Sequence, residues 1–157
     1  MNTQSKLFIT AFLFICFFTS LLPAQTCDEN LVFKIDRIKQ EVETSLITAT
    51  TAEVKMKSGE SLLAFYKDGS LIKLTVDNSE KEDYYVAELF FKDGFIKHIA
   101  EEYMKSGKLF KDYYYFEDDK LICYNNESTG DYKSADKYSK AEKKWLKKID
   151  KYSQAIQ

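Results

Sequence analysis

Histidine occurs once in this 157-residue chain, as His98, and arginine once, as Arg37. A lone histidine excludes a metal centre built from several imidazoles. One arginine among 23 basic residues argues against phosphate recognition by guanidinium forks, and no nucleic-acid partner is expected. The sequence has no His-Glu-x-x-His, no Cys-x-x-Cys, no Gly-x-Ser-x-Gly elbow and no glycine-rich phosphate loop. Glu101 and Glu102 are adjacent, so on a strand they point to opposite faces. Asp118 and Asp119 suit a turn. A glycosidase-type carboxylate pair would have to be assembled across strands, for instance from Glu88 and Glu101. His98, mid-strand beside Ile99 and Ala100, reads as a structural histidine. These absences point away from an enzyme, and neither cofactor nor metal is expected.

Glycine is also scarce, at five residues, and four of them recur in one setting. Lys57-Ser58-Gly59, Lys67-Asp68-Gly69, Lys92-Asp93-Gly94 and Lys105-Ser106-Gly107 each separate two apolar runs, and Glu117-Asp118-Asp119-Lys120 is a glycine-free relative. Asp-Gly between apolar runs signals a type I′ hairpin, whose two central residues both need positive φ. The stretch 52–124 is therefore expected to form an antiparallel meander of about six or seven strands. Two-residue turns would set Phe65 opposite Ile72, Leu63 opposite Leu74, Ala64 opposite Lys73 and Tyr66 opposite Leu71. They would likewise pair Tyr103 with Phe110, Glu102 with Lys111, Ile99 with Tyr114, Phe116 with Leu121 and Tyr114 with Cys123. For the Asp93-Gly94 hairpin the same rule gives Phe91–Ile96 and Leu89–His98, with Phe90–Lys97 and Glu88–Ile99 on the other face. Both faces are then part apolar, so either the sheet is covered on both sides or a bulge shifts the register.

Residues 1–24 read as a secretory signal: one charge, Lys6, then an uncharged run from Leu7 to Leu22, too short for a membrane span of about 20 residues. Pro23-Ala24-Gln25 offers a cleavage point, and Thr26-Cys27 matches a lipoprotein signal poorly. The expected product is an exported single domain, 25–157, periplasmic or secreted, with lipid anchoring or an uncleaved membrane anchor as the alternative. Cys16 leaves with the leader. Cys27 and Cys123 remain, and a bridge between them would tie the N-terminus to the last strand; two unpaired thiols is the other reading.

Asp28 to Ser45 reads as an amphipathic helix, with Leu31, Ile35, Ile38 and Val42 on one stripe and Asp28 as its N-cap. The β-branched segment from Leu46 to Thr51 should be extended. Asp77–Asp83 carries four acids without the spacing of a calcium loop, so it reads as a solvated connection. Asn126-Glu127-Ser128 matches a glycosylation acceptor. Residues 135–153 form a second amphipathic helix, with Tyr138, Ala141, Trp145, Ile149 and Tyr152 on one face. Lys137, Lys140, Lys144, Lys147, Lys148 and Lys151 form its basic side. That side could contact an anionic membrane surface, or it could be a solvated complement to an acidic sheet domain.

Seven of the 11 tyrosines fall on expected strands. Alternation turns Tyr113 and Tyr115 away from Tyr114, toward His98 and Tyr124, making Tyr113, Tyr115, Tyr124 and His98 a candidate binding face. Phe65-Tyr66-Lys67-Asp68-Gly69-Ser70-Leu71 and the string from Tyr113 to Leu121, with the leader and short helix, resemble a group of small exported Bacteroidota proteins of unassigned function. The Lys-Asp-Gly hairpins are also loosely similar to MORN-type repeats, although the glycine spacing is irregular. The resemblance implies a helix followed by a β-meander and carries over no site residues. The expected class is thus α+β, a non-catalytic exported domain that binds a protein or glycan through an aromatic sheet face. The alternative is an envelope-associated protein, or an inhibitor of an extracellular enzyme, acting through the basic C-terminal helix.

Overall fold

The computed structural model describes residues 27–79, 84–127 and 135–156. The leader, Cys16, residues 80–83 of the acidic connection and residues 128–134 lie outside them. Helix α1 spans Glu29–Ser45, and Asp28 caps it, its carboxylate accepting the backbone N–H of Asn30 at 2.9 Å and of Leu31 at 3.3 Å. Residues Leu46–Thr48 form a 3₁₀ turn instead of an extended segment, and strand β1 begins at Thr50. Seven antiparallel strands follow in chain order: β1 Thr50–Lys55, β2 Ser61–Lys67, β3 Ser70–Asp77, β4 Tyr85–Lys92, β5 Phe95–Lys105, β6 Lys108–Glu117 and β7 Lys120–Asn126. Helix α2, Ala135–Ile156, closes the chain. The architecture is an α+β meander with one helix at each end. Among the described residues no helix is long and apolar enough to cross a membrane.

Four of the five turns are of the expected kind; at Ser58-Gly59 only the glycine has positive φ, in a longer link closed by the Met56 N–H to the Glu60 carbonyl. Both central residues have positive φ at Asp68-Gly69, Asp93-Gly94, Ser106-Gly107 and Asp118-Asp119. Asp119 holds φ +59° where the other three turns use glycine. The Ser106-Gly107 hairpin keeps its register throughout, pairing Tyr103 with Phe110, Glu102 with Lys111 and Ile99 with Tyr114.

The other three hairpins differ from the simple register beyond the first pairs. Tyr66 still meets Leu71, Phe91 meets Ile96 and Phe116 meets Leu121, but one residue then bulges in each. The extra residues are Ile72, Lys97 and Ile122. Beyond them Phe65 meets Lys73, Ala64 meets Leu74, Leu63 meets Thr75, Phe90 meets His98, Leu89 meets Ile99 and Glu88 meets Ala100. Tyr114 meets Tyr124, and Cys123 falls opposite Tyr115. The cause is apolar spacing. Leu71 and Leu74, Ile96 and Ile99, and Leu121 and Tyr124 are three residues apart, yet each pair belongs to one core. A period-2 strand puts such residues on opposite faces, and one extra residue restores them to the same face.

These bulges recur every 25 residues, at 72, 97 and 122. Phe65-Tyr66-Lys67-Asp68, Phe90-Phe91-Lys92-Asp93 and Tyr115-Phe116-Glu117-Asp118 occupy matching places before the turns. So β2–β3, β4–β5 and β6–β7 are three copies of one bulged hairpin. Glycine spacing conceals this, because Gly59 and Gly107 sit in links outside the copies and the third copy has Asp119 in place of glycine.

Both faces of the sheet are covered. On one, Leu62, Leu74, Leu89, Ile99, Tyr114 and Phe116 pack with Trp145, Tyr138, Ala141 and Tyr152 of α2. On the other, Ile35 packs with Tyr115 and Cys123, while Ile38 and Val42 pack with Phe90. For the Asp93-Gly94 hairpin the bulge and the two-sided cover therefore hold together. Helix α2 crosses the strands: Tyr138 Oη accepts the Tyr124 N–H at β7, and the Tyr152 hydroxyl donates to Glu60 beyond β1. Seven strands span about 29 Å and a 22-residue helix about 33 Å, so the lengths match. Glu142 also accepts the Leu121 N–H at 2.8 Å, so two amides of edge strand β7 are capped by the helix.

Cys27 and Cys123 form a disulfide with Cα atoms 5.2 Å apart and a sequence separation of 96. It fastens the start of α1 to β7. In the chain-entropy account a loop of that length stabilises the fold by about 4–5 kcal/mol. A Cys27→Ser/Cys123→Ser protein is expected to lose roughly that much in chemical denaturation; a loss under about 1 kcal/mol would show that the bridge constrains little.

Candidate functional site

The three hairpin copies show where the core pattern is broken. Leu62 pairs with Val76 in the first copy, Ala87 with Glu101 in the second, and Asp112 with Asn126 in the third. All six side chains sit at matching positions under α2, and all are at most 5% exposed. The position changes from wholly apolar to half polar to wholly polar. Burying polar groups costs several kcal/mol unless they are paired, so this layer needs partners.

It has them. Asp112 accepts from the hydroxyls of Tyr124 (2.8 Å), Tyr114 (3.2 Å) and Tyr103 (3.4 Å), and from the Asn126 amide. Glu101 accepts from the Tyr114 hydroxyl at 2.9 Å and from Lys144 Nζ of α2 at 3.3 Å. The Lys148 ammonium donates to the Tyr85 hydroxyl at 2.8 Å and lies 4.6 Å from the ring centres of both Tyr85 and Trp145. Burial, then the Glu101 charge, pushes the Tyr85 and Tyr114 phenols well above their ordinary value. Burial and Asp112 push Tyr103 up to about 12. All three stay protonated and serve as donors at neutral pH. Burial lowers Lys148, while Glu101 acts in the opposite sense.

This layer opens into a cleft of about 450 Å³ between the β4–β6 region and α2. Glu101 and Asp112 are in its floor, Tyr85 and Tyr103 in its sides, and Lys144 and Lys148 in the helical wall. Tyr103 lies flat against Phe110, with ring centres 5.5 Å apart and planes at 13°. Among the described residues no group of three or more His, Cys, Asp or Glu side chains is arranged to hold a metal ion.

The residues singled out in the sequence fall in different places. His98, Tyr113 and Tyr115 do share a face, with His98 4.9 Å from Tyr115 and 6.0 Å from Tyr113 between ring centres. That face lies under α1, where Tyr115 packs with Ile35 and Cys123. Tyr113 is partly buried and donates to Glu127 at 3.0 Å. Tyr124 is on the opposite face, against Tyr114, because of the bulge at Ile122. Glu88 faces Lys73 beneath α1 and Glu101 faces α2, so these two carboxylates do not come together. The partner that β6 supplies to Glu101 is Asp112. Asn126, the proposed glycosylation acceptor, has its amide buried against Asp112.

On α2, Lys144 and Lys148 turn into the cleft and Lys151 pairs with Glu60 at 3.1 Å. Lys140 and Lys147 are exposed, and the Lys137 side chain lies outside what the structure describes. Sequence reasoning missed Tyr85, Tyr103 and Asp112 as site residues and placed Glu101 only beside Glu88. The signal that finds Glu101 and Asp112 is the 25-residue spacing of 62, 87 and 112 and of 76, 101 and 126.

Two outcomes follow from this arrangement. Asp112→Ala takes the shared acceptor from the Tyr103 and Tyr124 hydroxyls and the Asn126 amide, leaving Tyr114 on Glu101, and should cost about 3 kcal/mol or more. Asp112→Leu/Asn126→Val restores the apolar pair of the first copy; in urea unfolding it should be at least about 1 kcal/mol less costly than Asp112→Ala. His98 is buried, and burial followed by Lys39 depresses it from 6.5 to about 3. Between those values the unfolded chain holds the extra proton, so stability falls as pH drops through that window, by up to about 1.4 kcal/mol per unit. His98→Leu should flatten that slope in a pH series of denaturation midpoints; an unchanged slope would mean that His98 titrates normally.

Compared with protein-family models, with curated proteins and with solved structures, the chain gives no match, and the functional meaning of the cleft rests on its own chemistry.

Proposed function

We propose that this protein is an exported, non-catalytic binding domain that captures a glycan or a segment of another protein in the cleft between β4–β6 and α2. The observation that carries this reading is the polar layer of Glu101, Asp112 and Asn126, placed where the first hairpin copy has Leu62 and Val76. Local rules of folding are most often broken where a site needs them broken. A concave surface with aromatic sides and a few convergent polar groups suits recognition. Asp112, surrounded by four donors, is poorly placed to carry protons in a reaction cycle. Export is supported by the leader sequence and by the disulfide, which persists in an oxidising compartment.

A second reading draws on the exposed Lys140, Lys143 and Lys147, which leave α2 a basic outer row. That row would suit an envelope-associated role or inhibition of an extracellular enzyme.

Backbone amide NMR shifts, recorded while soluble oligosaccharides and peptides are titrated in, separate the two. Binding in the cleft should move residues 100–104 and 112–114, and Tyr103→Ala should weaken it at least about tenfold, or 1.4 kcal/mol. Shifts confined to the outer face of α2, or none at all, would count against the cleft.

A further inference from the structure

The charges around the cleft discriminate among ligands. Asp112 is close to saturated: a carboxylate has about four lone-pair sites, Tyr103, Tyr124 and Asn126 supply three donors, and the single Tyr114 proton is shared between Asp112 and Glu101. Glu101 is less so. It takes Lys144 on one oxygen and the shared Tyr114 proton on the other, and the Tyr85 hydroxyl also hydrogen-bonds to it. Three donors on about four lone-pair sites leave it an acceptor position at the cleft floor. Lys144 and Lys148 each keep ammonium hydrogens beyond the single bond each makes to Glu101 or Tyr85. The cleft thus offers acceptors from the sheet and donors from the helix, with a flat aromatic ring, Tyr103, beside them.

A cationic ligand able to use Glu101, such as an arginine side chain, would meet the Lys144 and Lys148 ammoniums. An anionic ligand able to use those lysines would meet Glu101 and Asp112. Two acids and two bases in one small space leave a neutral ligand with no like charge to overcome. The neutral chemistry that both gives and takes hydrogen bonds from adjacent atoms, and presents an apolar C–H face, is a ring carrying vicinal hydroxyls. We propose that the cleft binds an uncharged sugar residue of a glycan, its hydroxyls bridging Glu101 to Lys144 and Lys148, and its ring face lying on Tyr103. This rests on the binding reading above and narrows its ligand.

The test uses the disulfide-bonded protein and four classes of probe: neutral gluco-, manno- and xylo-oligosaccharides, an oligouronate, a cationic oligoglucosamine and an arginine-rich peptide. Amide shifts and titration calorimetry report the site and the affinity. A neutral oligosaccharide should move the amides of residues 100–104, with an affinity that changes less than twofold between 50 and 500 mM salt, as expected where no net charge is paired. Glu101→Gln should weaken it at least about tenfold, whereas Glu102→Gln, on the opposite face, should leave it unchanged. Denaturation of both variants controls for folding, and Tyr103→Leu provides a second cleft variant if Glu101→Gln is unstable. Binding of the oligouronate, oligoglucosamine or peptide alone in the cleft would overturn the neutral-sugar inference while leaving a binding cleft in place. A folded Glu101→Gln protein that binds as wild type would also overturn it. If no probe moved the cleft, both readings would fall.

Discussion

The bulge just past the turn of each repeated hairpin is the constraint on which the rest of the sheet depends. A one-residue slip sends every side chain of a strand to the other face. Without the bulges, Leu74, Ile99 and Tyr124 would exchange places with Lys73, His98 and Cys123. Two lysine- or histidine-bearing positions would then enter the α2 core, and Cys123 would move out of reach of Cys27. The disulfide, the α1 face and the α2 core are thus three consequences of one backbone feature repeated at 25-residue intervals. Repetition also explains why the sheet tolerates a helix on each face. Each copy turns one apolar set toward α2 (Tyr66, Leu71 and Ala64 in the first), and the second and third turn Phe90 and Tyr115 toward α1.

Against that regular background the polar layer is an expense the fold does not require. The first copy fills the same position with Leu62 and Val76, both fully buried. Buried ionic groups are weak evidence for stability, since apolar replacements of matching shape often do as well or better. What keeps Glu101 and Asp112 compatible with the interior is a set of phenols held protonated by burial, with a lysine contributed from across the interface. That compensation is spread over β5, β6, β7 and α2. The arrangement takes four elements to satisfy, where two aliphatic side chains fill the same place in the first copy.

Much of the architecture was legible in the sequence because it rests on local rules. The Asp28 cap, the Leu31–Val42 stripe and the positive-φ turns each follow from a few neighbouring residues, and the structure reproduces them. The Ser106-Gly107 hairpin was read correctly along its whole length because it has no bulge. For the Asp93-Gly94 hairpin the mixed faces pointed to a bulge or two-sided cover, and both are present. The Asp68-Gly69 and Asp118-Asp119 hairpins follow the simple register for the first pairs beside the turn and depart from it beyond, and the misplacement of Tyr124 and Cys123 follows from that alone. The i, i+3 spacing of Leu71 and Leu74 contained the warning. The cleft was harder to see. Glu101 and Asp112 are 11 positions apart, look like ordinary strand residues, and acquire meaning only when the second and third copies are laid over the first.

The basic character of α2 also has a local physical account. Lys144, Lys148 and Lys151 bend back to Glu101, Tyr85 and Glu60. Their aliphatic stems cover the sheet edge of the interface while their ammoniums meet its acids, which is how long basic side chains serve amphipathic helices in water. Trp145, fully buried, sits between Tyr114 at 5.6 Å and the Lys148 ammonium at 4.6 Å. The ring that anchors the helix to the sheet therefore also touches two residues, Tyr114 and Lys148, that line the cleft. Docking of α2 and the shape of the site cannot be varied separately: a change that lifts Trp145 moves both lysines away from Glu101 and exposes the Tyr114 hydroxyl that joins the two carboxylates. For this chain, the helix that completes the core and the helix that builds the candidate site are the same element, with the same residues serving both ends.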